Sequence, residues 1–316
     1  MAEIGYNIDR ASQLLSQGAL VGIPTETVYG LAANALNENA VLNIFEAKNR
    51  PQFDPLIVHV SSIHEVEKYA FWPDERLKSL AEQFWPGPLT ILLPKKNNIP
   101  HLVTSGLDTV AIRVPQHPLT LQLLNNISFP LAAPSANPFG YISPTTAQHV
   151  NNQLGKKIAY ILDGGPCKVG LESTIIGLEA NQIMVFRLGG LAIEEIEKAI
   201  GKVELKINQS SNPVAPGQLV SHYAPHKPLI IGDIAKKIIE NHKKNMAVIA
   251  FGQNNFNSPL TFNLSEKSDM NEAALNLFKM LRLADESDAE LIITNYLPEQ
   301  GLGRAINDRL KRAASN

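Results

Sequence analysis

Thr25, Glu26, Thr27 and Tyr29 stand together in the run Pro24-Thr-Glu-Thr-Val-Tyr-Gly30, directly after the apolar stretch 19–23. Lys48 and Arg50 follow at the end of an amphipathic segment, then Asp54, then His59 on the short apolar stretch 56–60. Hydroxyls, a carboxylate, two cations and an imidazole are thus gathered at the ends of neighbouring elements. That set suits a small anionic substrate carrying a phosphate, with lysine acting as a point charge and arginine as a planar fork. Each piece also has a plainer reading. The hydroxyl turn could cap the next helix, Lys48 and Arg50 could complement a helix C-terminus, and a lone His59 could be a satisfied core histidine. Asp54 and His59 so soon after the cations favour a polar pocket wall.

Further along, Arg113 interrupts the apolar run Val110-Ala-Ile-Arg113-Val-Pro115. A cation there is costly unless paired. Its partner is Glu26 or Asp163 if the role is structural, or a substrate carboxylate if it is functional. Arg187, in Val185-Phe-Arg187-Leu-Gly189, repeats the pattern, and two such arginines point to an anion site. Ser135-Ala-Asn137 follows an apolar strand between Pro134 and Pro138, where backbone N–H groups can cradle a phosphate or simply form a turn. Ser173-Thr174 is a weaker version of the same signal. The sequence has no Gly-X-Gly-X-X-Gly, no Walker A motif, no Gly-X-Ser-X-Gly elbow and no His-Glu-X-X-His. His222 and His226 have metal-ligand spacing, but Pro225 between them argues against a helix that presents both.

These residues are placed by a mixture of short strands and helices. Ile8, Ala11, Leu14 and Leu15 recur at helical spacing, and Gly18 ends that helix. Strands are expected at 19–23, 56–60, 89–93, 109–114, 131–133 and 158–162, and a hairpin pair at 172–178 and 182–187. Helices are expected at 40–47, 66–69, 75–84, 119–125, 145–154 and 193–200. Strict β-α alternation is missing, so residues 1–203 read as one α/β domain on a twisted mixed sheet. The polar, proline-containing stretch that follows makes 204–228 a linker. Residues 229–316 then become regular, with strands at 229–231, 247–251 and 291–294 and helices at 234–242, 272–284 and 304–313. Three strand–helix units predict a smaller, doubly wound parallel sheet. Asp233, Asp285 and Glu286 read as solvated helix-end charges.

The chain has 316 residues, 44% of them apolar and 18% charged, as in an ordinary globular protein. Its net charge of −2 gives no support to strong direct binding of nucleic acid, tRNA or DNA. The single cysteine, Cys167, forms no intrachain disulfide and reads as a bystander thiol. No signal peptide is visible and no apolar run reaches membrane-spanning length, so the expected location is the cytoplasm, with no membrane association.

Four stretches, in order, resemble the YrdC-like family: Pro24 to Gly30, Lys48-X-Arg50, Ser135-X-Asn137, and Glu172-Ser-Thr with Arg187 after it. Pro216-Gly217 and His222-Tyr-Ala-Pro225 look like the linker motif of its long, two-domain threonylcarbamoyl-AMP synthases. The resemblance implies a reaction in which L-threonine, bicarbonate and ATP give L-threonylcarbamoyl-AMP, pyrophosphate and water, with Mg²⁺ on the phosphates. The product serves tRNA modification by a threonylcarbamoyl transferase complex, the implied pathway partner. Carried over position by position, Thr27, His59, Arg113, the backbone at Ala133 and Ser173 face threonine. Lys48, Arg50, Asp54, Thr109, Ser135, Asn137, Ser143 and Arg187 face the nucleotide, and Tyr223 folds over the site as part of a lid. Thr109 and Ser143 rest on the resemblance alone. No covalent nucleophile and no metal-ligating side chain are implied. Some long-form relatives carry a cation soon after the linker Pro-Gly, whereas this chain has Gln218-Leu-Val-Ser221.

Two rivals remain. YrdC-like modules of larger hydrogenase-maturation proteins carbamoylate another acceptor, but the zinc-finger cysteines expected there are missing. An RNA-binding module would use the strand-end cations as a phosphate track, against which the near-neutral charge weighs.

Overall fold

The computed structural model describes residues 1–207, 215–216, 222–253, 256 and 260–315. The chain opens with β1 (Glu3–Gly5), α1 (Ile8–Ser16), β2 (Val21–Ile23), β3 (Gly30–Asn34), α2 (Glu38–Lys48) and β4 (Ile57–His59). Next come a 3₁₀ turn at Ile63–Lys68, α3 (Glu75–Phe84), β5 (Leu89–Pro94), α4 (His101–Thr104), β6 (Thr109–Arg113), α5 (Pro118–Asn126) and β7 (Leu131–Ala132). The first unit closes with α6 (Ala147–Leu154), β8 (Tyr160–Leu162), β9 (Thr174–Glu179), β10 (Gln182–Arg187), α7 (Ile193–Ile200) and β11 (Glu204–Leu205).

These strands form one mixed sheet in the order β1-β8-β2-β3-β7-β4-β6-β5-β9-β10-β11. The expected mixed α/β architecture is therefore present, with one local difference that matters for the site. The turn after β2 does not cap a helix. It leads into β3, which pairs antiparallel with β2 through Val21↔Ala32 and Ile23↔Gly30 before α2 begins. Gly-Leu-Ala-Ala-Asn carries no β-branched residue, so its strand character comes from pairing on both sides rather than from propensity. The expected helix at 66–69 is the 3₁₀ turn.

Helix boundaries follow local chemistry. The Asn37 side chain accepts from Ala40 N to start α2, and Asn49 ends it in the left-handed region at φ 53°. Lys48 lies four and seven residues after Ile44 and Val41, on the buried stripe of α2, and the reversal at Asn49 starts Arg50 on a new course. Central strands β4 and β6 are parallel and in register, Ile57↔Ala111 and His59↔Arg113. Alternation then divides their side chains between two faces. Val58, Val110 and Ile112 join the large apolar core on one face, while Ile57, Ala111, Ile175 and Phe186 cluster on the other with Ala215 of the linker.

The second unit runs β12 (Leu229–Ile231), α8 (Ile234–Glu240), β13 (Met246–Ala250), β14 (Leu260–Asn263), α9 (Met270–Glu286), β15 (Leu291–Thr294) and α10 (Gly303–Ala313). Its sheet has the order β12-β15-β13-β14 and is parallel throughout, with one strand, β14, beyond the three expected. Leu260-Thr-Phe-Asn is too short and half-polar to announce itself, and it is held by four pairs to β13. Asp285 is not a solvated helix-end charge. It is buried and accepts from Tyr141 Oη at 2.7 Å and from the Lys227 backbone N–H at 3.0 Å, which ties α9 to the first unit and the linker. Asp233 does cap a helix, accepting from Lys236 N at 2.9 Å. The linker positions 218–221 lie outside the described residues. No helix among the described residues is long and apolar enough to cross a membrane.

Candidate active site

The site is built on the sheet face that the linker covers. A cavity there is lined by Thr25 and Thr27 of the β2–β3 turn, Ile57 and His59 of β4, Arg113 of β6, and Ala133, Pro134 and Ser135 after β7. Arg50, Glu172, Ser173 and Arg187 complete the wall, and Pro216, His222 and Tyr223 of the linker close it. Thr27, Arg50, His59, Arg113, Ala133, Ser135, Ser173, Arg187 and Tyr223 are thereby brought together from eight separate places in the chain.

Arg113 is buried and answers the question its position raised. Its Nη2 lies 2.6 Å from Glu26 Oε1, its Nη1 donates to Thr27 Oγ1 at 2.9 Å, and its Nε donates to Gly87 O at 3.1 Å. Asp163 is engaged elsewhere, with Tyr29 Oη at 3.2 Å and Gly165 N at 2.8 Å. Glu26 is steadied in turn by the Gln116 N–H, 3.0 Å from its Oε2. The turn is rigid for a local reason. Thr25 Oγ1 accepts from the N–H groups of Thr27 and Val28 and donates to Val28 O at 2.7 Å. The Thr25 and Thr27 hydroxyls lie 2.8 Å apart and share a further hydrogen bond.

Arg187 is aimed by a β-bulge. The β9–β10 register shifts between Val185 and Arg187, and the extra residue turns the guanidinium into the cavity. There it donates to Ser173 O at 2.8 Å and Oγ at 3.0 Å, and to Pro216 O at 3.3 Å. Burial pulls its pKa down to about 10, which leaves it charged at neutral pH. His59 is held down to about 3 by burial and then by Arg113, so it is a neutral imidazole. Its Nδ1 finds no hydrogen-bond partner among the described residues, and neither does Nδ1 of His222.

Five of the expected residues stand behind or beside the wall rather than on it. Lys48 is buried and donates from Nζ to Ser135 O at 2.6 Å and to Asn137 O. Burial, then Arg50, depress its pKa well below the usual lysine range, opposed by Asp54. Asp54 pairs with Arg50 at 2.9 Å. Asn137 donates to Pro138 O and Tyr141 O, and Ser143 donates to Glu172 Oε1 at 2.6 Å. These four brace the wall. Thr109 opens β6 opposite Pro94, roughly 13 Å of strand from Arg113.

Glu172 and His222 line the cavity without having been given a role there by the sequence. Glu172 stood in view beside Ser173, but nothing local marks it as wall. Glu172 is the one carboxylate among the described lining residues, against three arginines. Burial would raise its pKa, but Arg309, Arg187 and the Ser143 hydroxyl outweigh that and lower it. The lining therefore has an excess of positive charge in a desolvated space, which can hold an anion with both a carboxylate and phosphate groups. Cys167 is buried, and burial raises its thiol pKa, which removes it as a nucleophile.

Comparison with known proteins gives two family matches. Residues 13–189 match the Sua5–YciO–YrdC model, described as telomere recombination, and residues 191–315 match the threonylcarbamoyl-AMP synthase C-terminal domain. The threonylcarbamoyl-AMP synthase of Pyrococcus abyssi is 41% identical over 98% of this chain and 94% of its own length. That of Bacillus subtilis is 38% identical over 97% and 92%. The crystal structure of P. abyssi Sua5 complexed with L-threonine superposes with a TM-score of 0.93 at 39% identity, covering 99% of this chain and 97% of that one.

Proposed function

We propose a reaction from one premise: this chain belongs to the Sua5–YciO–YrdC family and carries the threonylcarbamoyl-AMP synthase C-terminal domain. It is an L-threonylcarbamoyladenylate synthase. The threonine amine takes up bicarbonate with loss of water, the resulting carbamate oxygen attacks the α-phosphorus of ATP, and pyrophosphate leaves. The class is nucleotidyl transfer. The product feeds tRNA threonylcarbamoyladenosine synthesis at position 37, through a transferase complex downstream.

The observation that carries this reading is the convergence of Arg50, Arg113 and Arg187 on one buried, linker-covered cavity with a single lining carboxylate among the described residues. We assign L-threonine to Thr27, His59, Arg113, Ser173 and the backbone at Ala133, with its carboxylate toward Arg113. The nucleotide falls to Arg50, Ser135, Arg187 and Tyr223, with Lys48, Asn137 and Ser143 acting through the loop 134–144 and Asp54 through its pair with Arg50. Thr109 belongs to the nucleotide set only if the ligand reaches past that wall. A carbamate decomposes in water, so a cavity walled by buried side chains and partly covered by the linker helps to protect it. Positioning and charge neutralisation supply the catalysis, without a covalent nucleophile.

No group of three His, Cys, Asp or Glu that could hold a metal occurs among the described residues, and Glu26, Asp54 and Glu172 are each committed to an arginine. Mg²⁺ is therefore read as arriving on the phosphates, as part of the nucleotide substrate. For this function we divide the chain into a catalytic unit 1–203, a linker 204–228 and a C-terminal unit 229–316. The linker begins as an edge strand, since β11 pairs with β10.

The test is pyrophosphate release by the purified full chain with MgATP, adding L-threonine and bicarbonate separately and together, with mass spectrometry of the product. Release that needs both, with a threonylcarbamoyl adenylate formed, is the expected outcome. Release indifferent to threonine overturns the reading.

A further inference from the structure

Glu172 stands in the cavity wall, but the side chain that orients it comes from the far end of the chain. Arg309 on α10 is fully buried and donates from Nε to Glu172 Oε2 at 2.9 Å. It also donates from Nη2 to Leu188 O at 2.8 Å and from Nη1 to Asp308 Oδ2 at 2.6 Å. The same guanidinium lies over the ring of Tyr223, with its carbon 4.9 Å from the ring centre. Phe278 of α9 stacks on Tyr223 at 5.5 Å and 29°. Tyr223 itself holds a left-handed backbone at φ 66°, a conformation that persists only where the surroundings over-determine it.

A buried ion pair is weak evidence for stability, because well-packed apolar side chains usually serve as well. The planar fork does give direction. One guanidinium fixes the azimuth of the Glu172 carboxylate and the plane of the Tyr223 ring together, and both groups line the cavity. We propose that Arg309 is a positioning residue, through which the C-terminal unit sets Glu172 and Tyr223 in the walls of the site. This rests on the function proposed above only in naming the ligand as ATP. The coupling is reciprocal: a nucleotide that fills the cavity also tightens the seat of α10.

The test uses the full chain with Arg309→Lys, Glu172→Gln, the double variant and Phe278→Leu. MgATP binding is measured by calorimetry, and initial rates are measured with ATP and threonine varied in turn. Lysine keeps the charge and loses the fork. Arg309→Lys is expected to keep a cooperative thermal transition while its Kd and KM for ATP rise about tenfold, with a smaller change in KM for threonine. Adding Glu172→Gln should make this no worse, since both changes break the same link. Phe278→Leu, which loosens the other face of Tyr223, should shift the same constants. Unchanged ATP affinity in Arg309→Lys, or effects that simply add with Glu172→Gln, overturns the proposal. Should Arg309→Lys not fold, unchanged ATP affinity in Phe278→Leu overturns it. Wild type that binds ATP but shows no threonine-dependent turnover removes the proposed reaction, while the binding constants still decide the role of Arg309.

Discussion

His59 sits in register with Arg113 across β4 and β6, and burial, aided by that neighbouring charge, keeps its ring neutral. Its folded-state pKa is depressed from 6.5 to about 3, so between those values the unfolded chain binds the extra proton. Stability from this site is complete above pH 6.5 and is lost as pH falls through the window. Urea unfolding at pH 7 and pH 5 should therefore show wild type losing about 2 kcal/mol more than His59→Gln. Equal losses would place His59 in a wetter environment than its burial implies. Arg113→Lys probes the neighbouring group. Lysine cannot reach Glu26, Thr27 Oγ1 and Gly87 O at once, so KM for threonine should rise more than KM for ATP. Arg50→Ala should do the reverse in the same assay. The two cations were legible as an anion site because each interrupts or ends an apolar element. Which carboxylate Arg113 would meet was not legible, since Glu26 and Asp163 are equally plausible until the turn after β2 is placed.

At the scale of elements, the loop 134–144 depends on α2. Lys48 stands in the last turn of that helix on its buried stripe, which carries the side chain beneath the loop. Lys48→Met keeps the length and removes the donors, leaving Ser135 O and Asn137 O without this partner in a buried place. The expected loss is roughly 2–4 kcal/mol in chemical denaturation, together with weaker ATP binding. Full stability with weak binding would instead make Lys48 a direct phosphate ligand. Helices here were readable because an apolar stripe is a local feature, as along Ile8, Ala11, Leu14 and Leu15 of α1. Strand β3 was hidden because Gly-Leu-Ala-Ala-Asn is shaped by its neighbours, and the bulge that aims Arg187 is a property of two strands together.

The two units share one continuous apolar core, which includes Leu188, Tyr223, Phe278 and Ile306. Buried polar links join them as well: Arg309 with Glu172, Tyr141 with Asp285, and Arg282 with Ile142 O. Calorimetry of the full chain should show one cooperative transition rather than two. Gly170 marks how close the approach is. It holds φ +79°, and a Cβ there would fall 2.5 Å from Leu275 Cα and 2.6 Å from Ala274 O on α9. Gly170→Val should therefore unseat the C-terminal unit and split the transition or lower it sharply. An unchanged single transition would mean that docking does not depend on this contact.

Much about this protein is carried by residue types and short-range order: an α/β architecture, a polar linker, a near-neutral charge, and an ordered set of hydroxyl and cationic motifs at element ends. These are local because capping, turn chemistry and hydrophobic alternation act over a few residues. The tertiary structure alone decided which cations face the cavity and which brace it, that the site lies on a sheet face under the linker, and that Arg309 reaches Glu172. Even so, Arg309 left a trace. It sits three and four residues after Ile306 and Ala305, on the buried stripe of α10, and a cation on such a stripe requires a partner. The sequence cannot name that partner, because sheet register and domain docking join positions far apart in the chain, and their pairing is settled only when the whole core is packed.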